Sequence, residues 1–173
     1  PREDKEVADL LEGLLKKEGI EIITCMETRE VRRSSKGNRF VACQCEVCGT
    51  LDREVDEVMI AIGRAPNVEG LNLEAAGVQY DRKGIQVDAS LRTTARNIWA
   101  CGDVVGPYLF THVAEYQAGI VLSNALFPLV RRKAIYEVVP RVTYTDPELG
   151  RVGLTEVEAR EKHGEKNIRV HRF

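Results

Sequence analysis

The chain contains no apolar run long enough to cross a bilayer, and its start is not a basic stretch followed by an apolar one. Neither a membrane span nor a secretory signal is expected. It also lacks an excess of charge of one sign: 25 Lys and Arg stand against 27 Asp and Glu, interspersed, for a formal net charge of -2. A broad field for nucleic acid or an anionic membrane surface is therefore missing. Histidine is scarce, at three residues, and there is no internal repeat or low-complexity tract. The five cysteines are odd in number and scattered, which fits a reducing cytoplasm better than a disulfide framework. An initiator methionine is absent too, since Pro1 opens the chain and the strand-like stretch 168–173 runs to its end. The expectation is an excerpt of a longer protein. What is present, 43% hydrophobic and 30% charged residues over 173 positions, suffices for one ordinary core or two smaller ones.

Val7, Leu10, Leu11, Leu14 and Leu15 recur at the spacing of one helix face, so a helix is expected over 4–17, with Asp4 placed to cap it and Gly19 to stop it. Strands are expected over 20–24 and 29–33, then a turn at 34–38. From Arg39, alternation puts Val41, Cys43, Cys45 and Val47 on one face, followed by a turn at Cys48-Gly49-Thr50 and a buried strand over 55–62. A connecting segment with a short helix near 73–76 leads to a strand over 84–90 and a second buried strand over 97–101. A helix over 111–126 follows, with Ala114, Ala118, Val121, Leu122 and Ala125 as its packing face and Pro128 as its stop. Strands over 136–139 and 141–144 and a helix over 155–163, with Thr155 and Glu158 as a capping box, complete the chain. Helix, meander and buried strand together suit the tail of a nucleotide-binding α/β unit.

The run Ile98-Trp99-Ala100-Cys101 stops abruptly at Gly102-Asp103. At the carboxyl end of a strand, a glycine admits close approach of backbone to a ligand, and an aspartate accepts hydrogen bonds from sugar hydroxyls. For Gly63-Arg64, after the apolar octet, the residues leave two readings open: an ordinary exit turn, or a close cofactor approach with an added positive charge. His112 is either a surface residue or part of a helix start whose N–H groups and positive dipole end face the same ligand as Asp103. The Cys43, Cys45 and Cys48 cluster has C-x-x-C spacing, as in zinc and thiol-redox sites. With no second ligand pair nearby and with valines alternating between the thiols, structural cysteines are the expectation, and a small zinc module is the alternative.

Gly84-Ile85-Gln86-Val87-Asp88, Leu91-Arg92-Thr93-Thr94 and Ile98-Trp99-Ala100-Cys101-Gly102-Asp103-Val104 together resemble the second flavin-binding signature of the class I pyridine nucleotide-disulfide oxidoreductases, the family of glutathione reductase, dihydrolipoyl dehydrogenase and mercuric reductase. Ala61-Ile62-Gly63-Arg64-Ala65-Pro66-Asn67 resembles that family's return from its NAD(P) domain to its FAD domain. Val139-Pro140-Arg141-Val142-Thr143-Tyr144-Thr145-Asp146-Pro147-Glu148 resembles the opening of its dimerisation domain.

The resemblance implies an α/β fold with an antiparallel β-meander: the second halves of two Rossmann-like nucleotide-binding domains, NAD(P) at 1–66 and FAD at 67–137, and the start of an α+β dimerisation domain at 138–173. It implies FAD and NAD(P)H as cofactors, Asp103 on a ribityl hydroxyl, and Gly102 admitting the flavin's chain. Thr111, His112, Val113 and Ala114 would form the helix start beneath the flavin ring, with Gly63 and Arg64 near the nicotinamide junction. The implied whole protein is a cytoplasmic homodimer acting on a small-molecule or metal-ion substrate, with no nucleic acid or membrane partner. Mercuric reductase-like members are the nearest pattern and dihydrolipoyl dehydrogenase the second; a noncatalytic flavin-binding or structural fragment is a third alternative. The family's Gly-rich fingerprints, redox cysteine pair and His-Glu pair have no counterpart in these residues, so no catalytic residue and no metal ligand is expected here. The 173-residue chain on its own is accordingly expected not to oxidise NAD(P)H. Absorbance of the reduced nucleotide checks this, and measurable turnover without added segments would overturn it.

Overall fold

A computed structural model describes residues 3–127, 129 and 131–173. The expected helix stop at Pro128 lies outside the described residues. The chain divides into two compact units, one of residues 6–63 and one of residues 1–5 with 64–173.

The smaller unit carries most of α1 (Lys5–Lys17) and an antiparallel meander of β1 (Glu27–Arg33), β2 (Arg39–Cys45) and β3 (Gly49–Val55), in that order. The helix forms where the apolar stripe predicts it, with Glu6 in its first turn and Lys16 and Lys17 in its last, matching the helix dipole. β2 is the central strand. It pairs from Arg39 with Val55 to Cys45 with Gly49 on one side, and with β1 through a register shift between Thr28 and Glu30 on the other. The 34–38 turn closes as expected, the Ser34 hydroxyl accepting from the backbone N–H groups of Lys36 and Asn38 at 3.2 Å.

Four expectations fail in this unit. Residues 20–24 form no strand, and β1 starts at Glu27. The second turn occupies 46–48 rather than 48–50, because the Cys45 sulfur accepts the N–H groups of Val47 and Cys48 and curls the chain early. Val47, expected on the apolar face, is 92% exposed. Residues 56–62 form no strand either: Met59 is 89% and Ile62 95% exposed. A strand is held by ladder hydrogen bonds, and among the described residues nothing is paired with this run.

The larger unit holds the core, where Leu73, Val78 and Ile85 are buried against Val87, Ile98, Val104 and Val105. The hairpin of β4 (Tyr80–Asp81) and β5 (Gly84–Ile85) is shorter than the expected strand over 84–90. Residues 97–101 carry a single isolated bridge, Trp99 with Arg92, so the second expected buried strand is also absent. Residues 73–77 make turns rather than a helix. A 3-10 turn, Asp103–Val105, leads to α2 (Thr111–Leu126), whose bounds match the expectation.

The unit ends in β6 (Pro140–Thr143), β7 (Leu149–Val152) and α3 (Glu156–His163). The expected strands over 136–139 and 168–173 do not form, and β6 replaces the one expected over 141–144. At α3 the capping box is complete: the Thr155 hydroxyl accepts from the Glu158 N–H at 3.2 Å, and the Glu158 carboxylate accepts from the Thr155 N–H at 2.8 Å. The chain's beginning joins here. Asp4 accepts from the Glu156 N–H at 2.9 Å, and Glu3 pairs at 2.7 Å with Arg151, whose side chain is 10% exposed.

The Thr155 N–H holds the Glu158 carboxyl below its ordinary value, with the Thr155 hydroxyl adding to the effect. A lowered folded-state value means that this contribution is complete at neutral pH and is lost as pH falls below the ordinary carboxylate range. Thr155→Ala is expected to cost about 1 kcal/mol. Hydrogen exchange of the α3 amides checks both: exchange should rise in the variant at pH 7, and rise in the parent as the solution is acidified below about pH 4.5.

Candidate functional site

The site is built on α2, and the packing face of that helix is not the expected one. The buried positions of this helix are Val113, Gln117, Ile120 and Asn124, whereas Ala118, Leu122 and Ala125 of the expected packing face are exposed. Small apolar residues suggested a close-packing stripe. The helix instead turns two amide side chains inward because each satisfies backbone that would otherwise be buried without a partner.

Gln117 is 1% exposed. Its Oε1 accepts from the Gly102 N–H at 2.6 Å, and its Nε2 donates to the Tyr136 hydroxyl at 2.8 Å. The orientation of the amide is fixed, since the Gly102 N–H can only donate. Burial pushes the Tyr136 phenol above its ordinary value, and the Gln117 amide pulls the other way. Seven residues on, Asn124 donates to the carbonyls of Ser90 and Arg132 and accepts from the Arg132 N–H, at 2.8–3.1 Å. Tyr116 adds a third tie, its hydroxyl accepting from the Ile135 N–H at 3.0 Å. The helix thus holds the Gly102 turn with one amide and the strap over 131–136 with three side chains.

Gly102 is buried at φ 81 and ψ -158, a conformation open essentially to glycine. A Cβ there would stand 3.4 Å from the Cβ of Ala114, which places the turn directly against the first turns of α2. Gly84 serves a different need: a Cβ on it would fall 2.3 Å from the Val104 carbonyl oxygen, so the hairpin and the 3-10 turn could not meet. Between these contacts the chain projects Asp103 outward. Its carboxylate lies 3.5 Å from Arg64, with the two side chains 50% and 69% exposed.

A cavity of about 800 Å³ opens at this point, walled by Arg64, Pro66, Arg82, Lys83, Asp103 and Leu109, among others. Three cationic side chains and one carboxylate line it, so its field favours an anionic ligand with hydroxyls to offer. The carboxylate and the cations together suit the ribityl chain and the phosphates of a flavin dinucleotide.

No side chain caps the start of α2, and the N–H groups of Val113 and Ala114 are taken by the Phe110 carbonyl at 3.1 and 3.0 Å. The helix therefore offers an external acceptor its positive dipole end and the amides of Thr111 and His112. The His112 ring is turned elsewhere: it stacks on Phe110, and its Nε2–H donates to the Pro140 carbonyl at 3.1 Å, tying α2 to β6. Val113 is a core residue, 4% exposed. Gly63, with φ 137, closes the 6–63 unit, and Arg64 begins the other. The structure thus gathers Arg64, Gly102, Asp103 and Ala114 around one turn.

Two family models match the chain: pyridine nucleotide-disulphide oxidoreductase over residues 1–118, and the dimerisation domain of the same class over residues 139–173. The chain belongs to the pyridine nucleotide-disulphide oxidoreductase family. Members of this family are FAD-dependent and draw electrons from NAD(P)H. A mercuric reductase from Staphylococcus aureus is 40% identical over 162 residues, 92% of this chain and 29% of that protein. A dihydrolipoyl dehydrogenase from Bacillus subtilis is 34% identical over 168 residues, 97% of this chain and 35% of its own. Among solved structures, the HOCl-induced flavoprotein disulfide reductase RclA from Escherichia coli matches with a TM-score of 0.79 and 33% identity, over 93% of this chain and 36% of that one. The chain therefore spans about a third of the length of these relatives, and its mixed α/β architecture with antiparallel strands agrees with theirs.

The geometry of the Gly102 turn rests on the Gln117 amide. Gln117→Met keeps the volume but leaves the Gly102 N–H unpaired, at an expected cost of about 1–3 kcal/mol. Denaturant unfolding of parent and variant checks this; Ala118→Ser, on the exposed face, should change stability by less than about 0.5 kcal/mol.

Proposed function

We propose that this chain is the central-to-C-terminal part of an FAD-dependent enzyme that takes hydride from NAD(P)H and reduces a disulfide or a metal ion, of the mercuric reductase kind. Asp103 carries the reading: it is an outward-facing carboxylate on a glycine-delimited turn, and the other charged groups of its cavity, Arg64, Arg82 and Lys83, are all cationic.

Bound FAD supplies the hydride-accepting chemistry, and the chain's residues bind and polarise. Asp103 accepts from ribityl hydroxyls, a charge-assisted hydrogen bond worth about 1.5–3 kcal/mol once shielded from water. Gly102 leaves room for that approach, and the cations offset the phosphates. The start of α2, at Thr111, His112, Val113 and Ala114, would offer its positive end to the flavin ring and favour negative charge there. Gly63 and Arg64 would lie near the junction with the nicotinamide cofactor.

In this reading residues 1–66 complete an NAD(P) domain, residues 67–137 complete an FAD domain, and residues 138–173 begin the surface through which two copies pair in the cytoplasm. The C-x-x-C cysteines are not the electron-relay pair, which the whole protein supplies elsewhere. Dihydrolipoamide is the second substrate reading, supported by dihydrolipoyl dehydrogenases that match the chain over nearly its full length.

The test is Asp103→Ala in the longer protein that contains this segment. An exposed ion pair contributes at most about 1 kcal/mol, so the variant should fold normally. Its visible flavin absorbance per chain should nevertheless fall to near zero. Equal flavin loading of variant and parent would sink the assignment.

A further inference from the structure

The turn between β2 and β3 is a C-x-x-C turn that the flavin reading leaves unused. Cys45, the last residue of β2, pairs with Gly49, the first of β3, so Glu46, Val47 and Cys48 make the whole connection. Inside it the backbone N–H groups of Val47 and Cys48 converge on the Cys45 sulfur at 3.4 and 3.2 Å. Gly49, at φ +80, takes the positive-φ position that follows Cys48. Both thiols are free, Cys45 half-buried and Cys48 exposed. The other cysteines nearby in the fold are placed differently: Cys43 lies within β2, 3.8 Å from the Thr28 hydroxyl, and Cys25, which precedes β1, is within electrostatic reach of Cys48 but outside the turn.

We propose that Cys45 and Cys48 form a two-thiolate site for one soft, two-coordinate metal cation of the Cu(I) type. A C-x-x-C turn sets two sulfurs on the same side of one connection, and thiolate ligands select soft ions over hard ones. Ligand number sharpens the choice. Among the described residues no group of three or more His, Cys, Asp or Glu side chains is arranged to hold a metal. Structural zinc requires four ligands, whereas a d10 monovalent ion is satisfied by two.

The two N–H groups on Cys45 act as the outer shell of such a site. They aim the sulfur's lone pairs and offset part of the negative charge left when two thiolates hold one monovalent cation. Binding forms two metal–sulfur bonds and releases the thiol protons to solvent, and no electron is transferred. The site lies wholly within the 6–63 unit and does not depend on the flavin reading.

The test uses the reduced 173-residue chain without oxygen, titrated with Cu(I) against a chromophoric Cu(I) chelator. One Cu(I) per chain should be withheld from the chelator. Cys48→Ser should weaken retention at least about 100-fold, since loss of a ligand exceeds the 10–100-fold cost of losing an outer-shell partner. Cys45→Ser should do the same. Cys25→Ser and Cys43→Ser should bind as the parent does. Because Cys48 is exposed and outside the strands, its variant keeps the hairpin even if Cys45→Ser does not, and circular dichroism verifies this. Failure of the parent to hold Cu(I), unchanged retention in Cys48→Ser, or an equal loss in Cys25→Ser or Cys43→Ser would each overturn the two-thiol site.

Discussion

The larger unit depends on one buried amide. Gln117 sits at 1% exposure between a backbone N–H that must be satisfied and a phenol that burial would otherwise strand. Transferring such a group from water is unfavourable unless all its hydrogen bonds are remade, and here both ends of the amide are engaged. The arrangement leaves little latitude in side-chain chemistry. A glutamate would keep the acceptor and lose the donor, while an asparagine would fall one carbon short of the span.

From this contact the rest of the candidate site follows. The Gly102 N–H is held, so the turn keeps its glycine-only conformation, and Asp103 is presented outward rather than folded back onto backbone. The same helix fixes the strap over 131–136 through Tyr116, Gln117 and Asn124, and reaches β6 through His112. A single 16-residue helix therefore coordinates the carboxylate turn, the strap and the start of the terminal hairpin. Its own binding contribution needs no side chain: the uncapped end and its dipole suffice.

The parts of this architecture that were legible in the sequence are those governed by local rules. α1 follows from its leucine stripe, α2 from its bounds, and α3 from Thr155 and Glu158 three positions apart, because a helix satisfies its backbone within itself. The Gly102-Asp103 turn was legible as a chain break between an apolar run and a helix. Residues 20–24, 56–62 and 97–101 read as strands because they are apolar, but a strand exists only when another strand completes its ladder, and apolar character does not state its partner. The packing face of α2 was misread for a related reason. Hydrophobic periodicity favoured Ala118 and Leu122, while the buried positions were decided by which backbone groups lay opposite, and apolar spacing does not encode that. Gln117 and Asn124, two amides seven residues apart on one face, were the available signal.

Asp4 and Glu156 are 152 residues apart in the chain, and the Glu3–Arg151 pair closes nearly as wide a loop. The capping box at the same helix end spans four residues. Loop-closure entropy separates these contacts in cost: the box closes a span of four residues, whereas the clasp must bring together ends separated by about 150. The start of α3 is therefore held by one contact of short span and two of long span, and Glu3 and Asp4 can add theirs only where the larger unit is already in place.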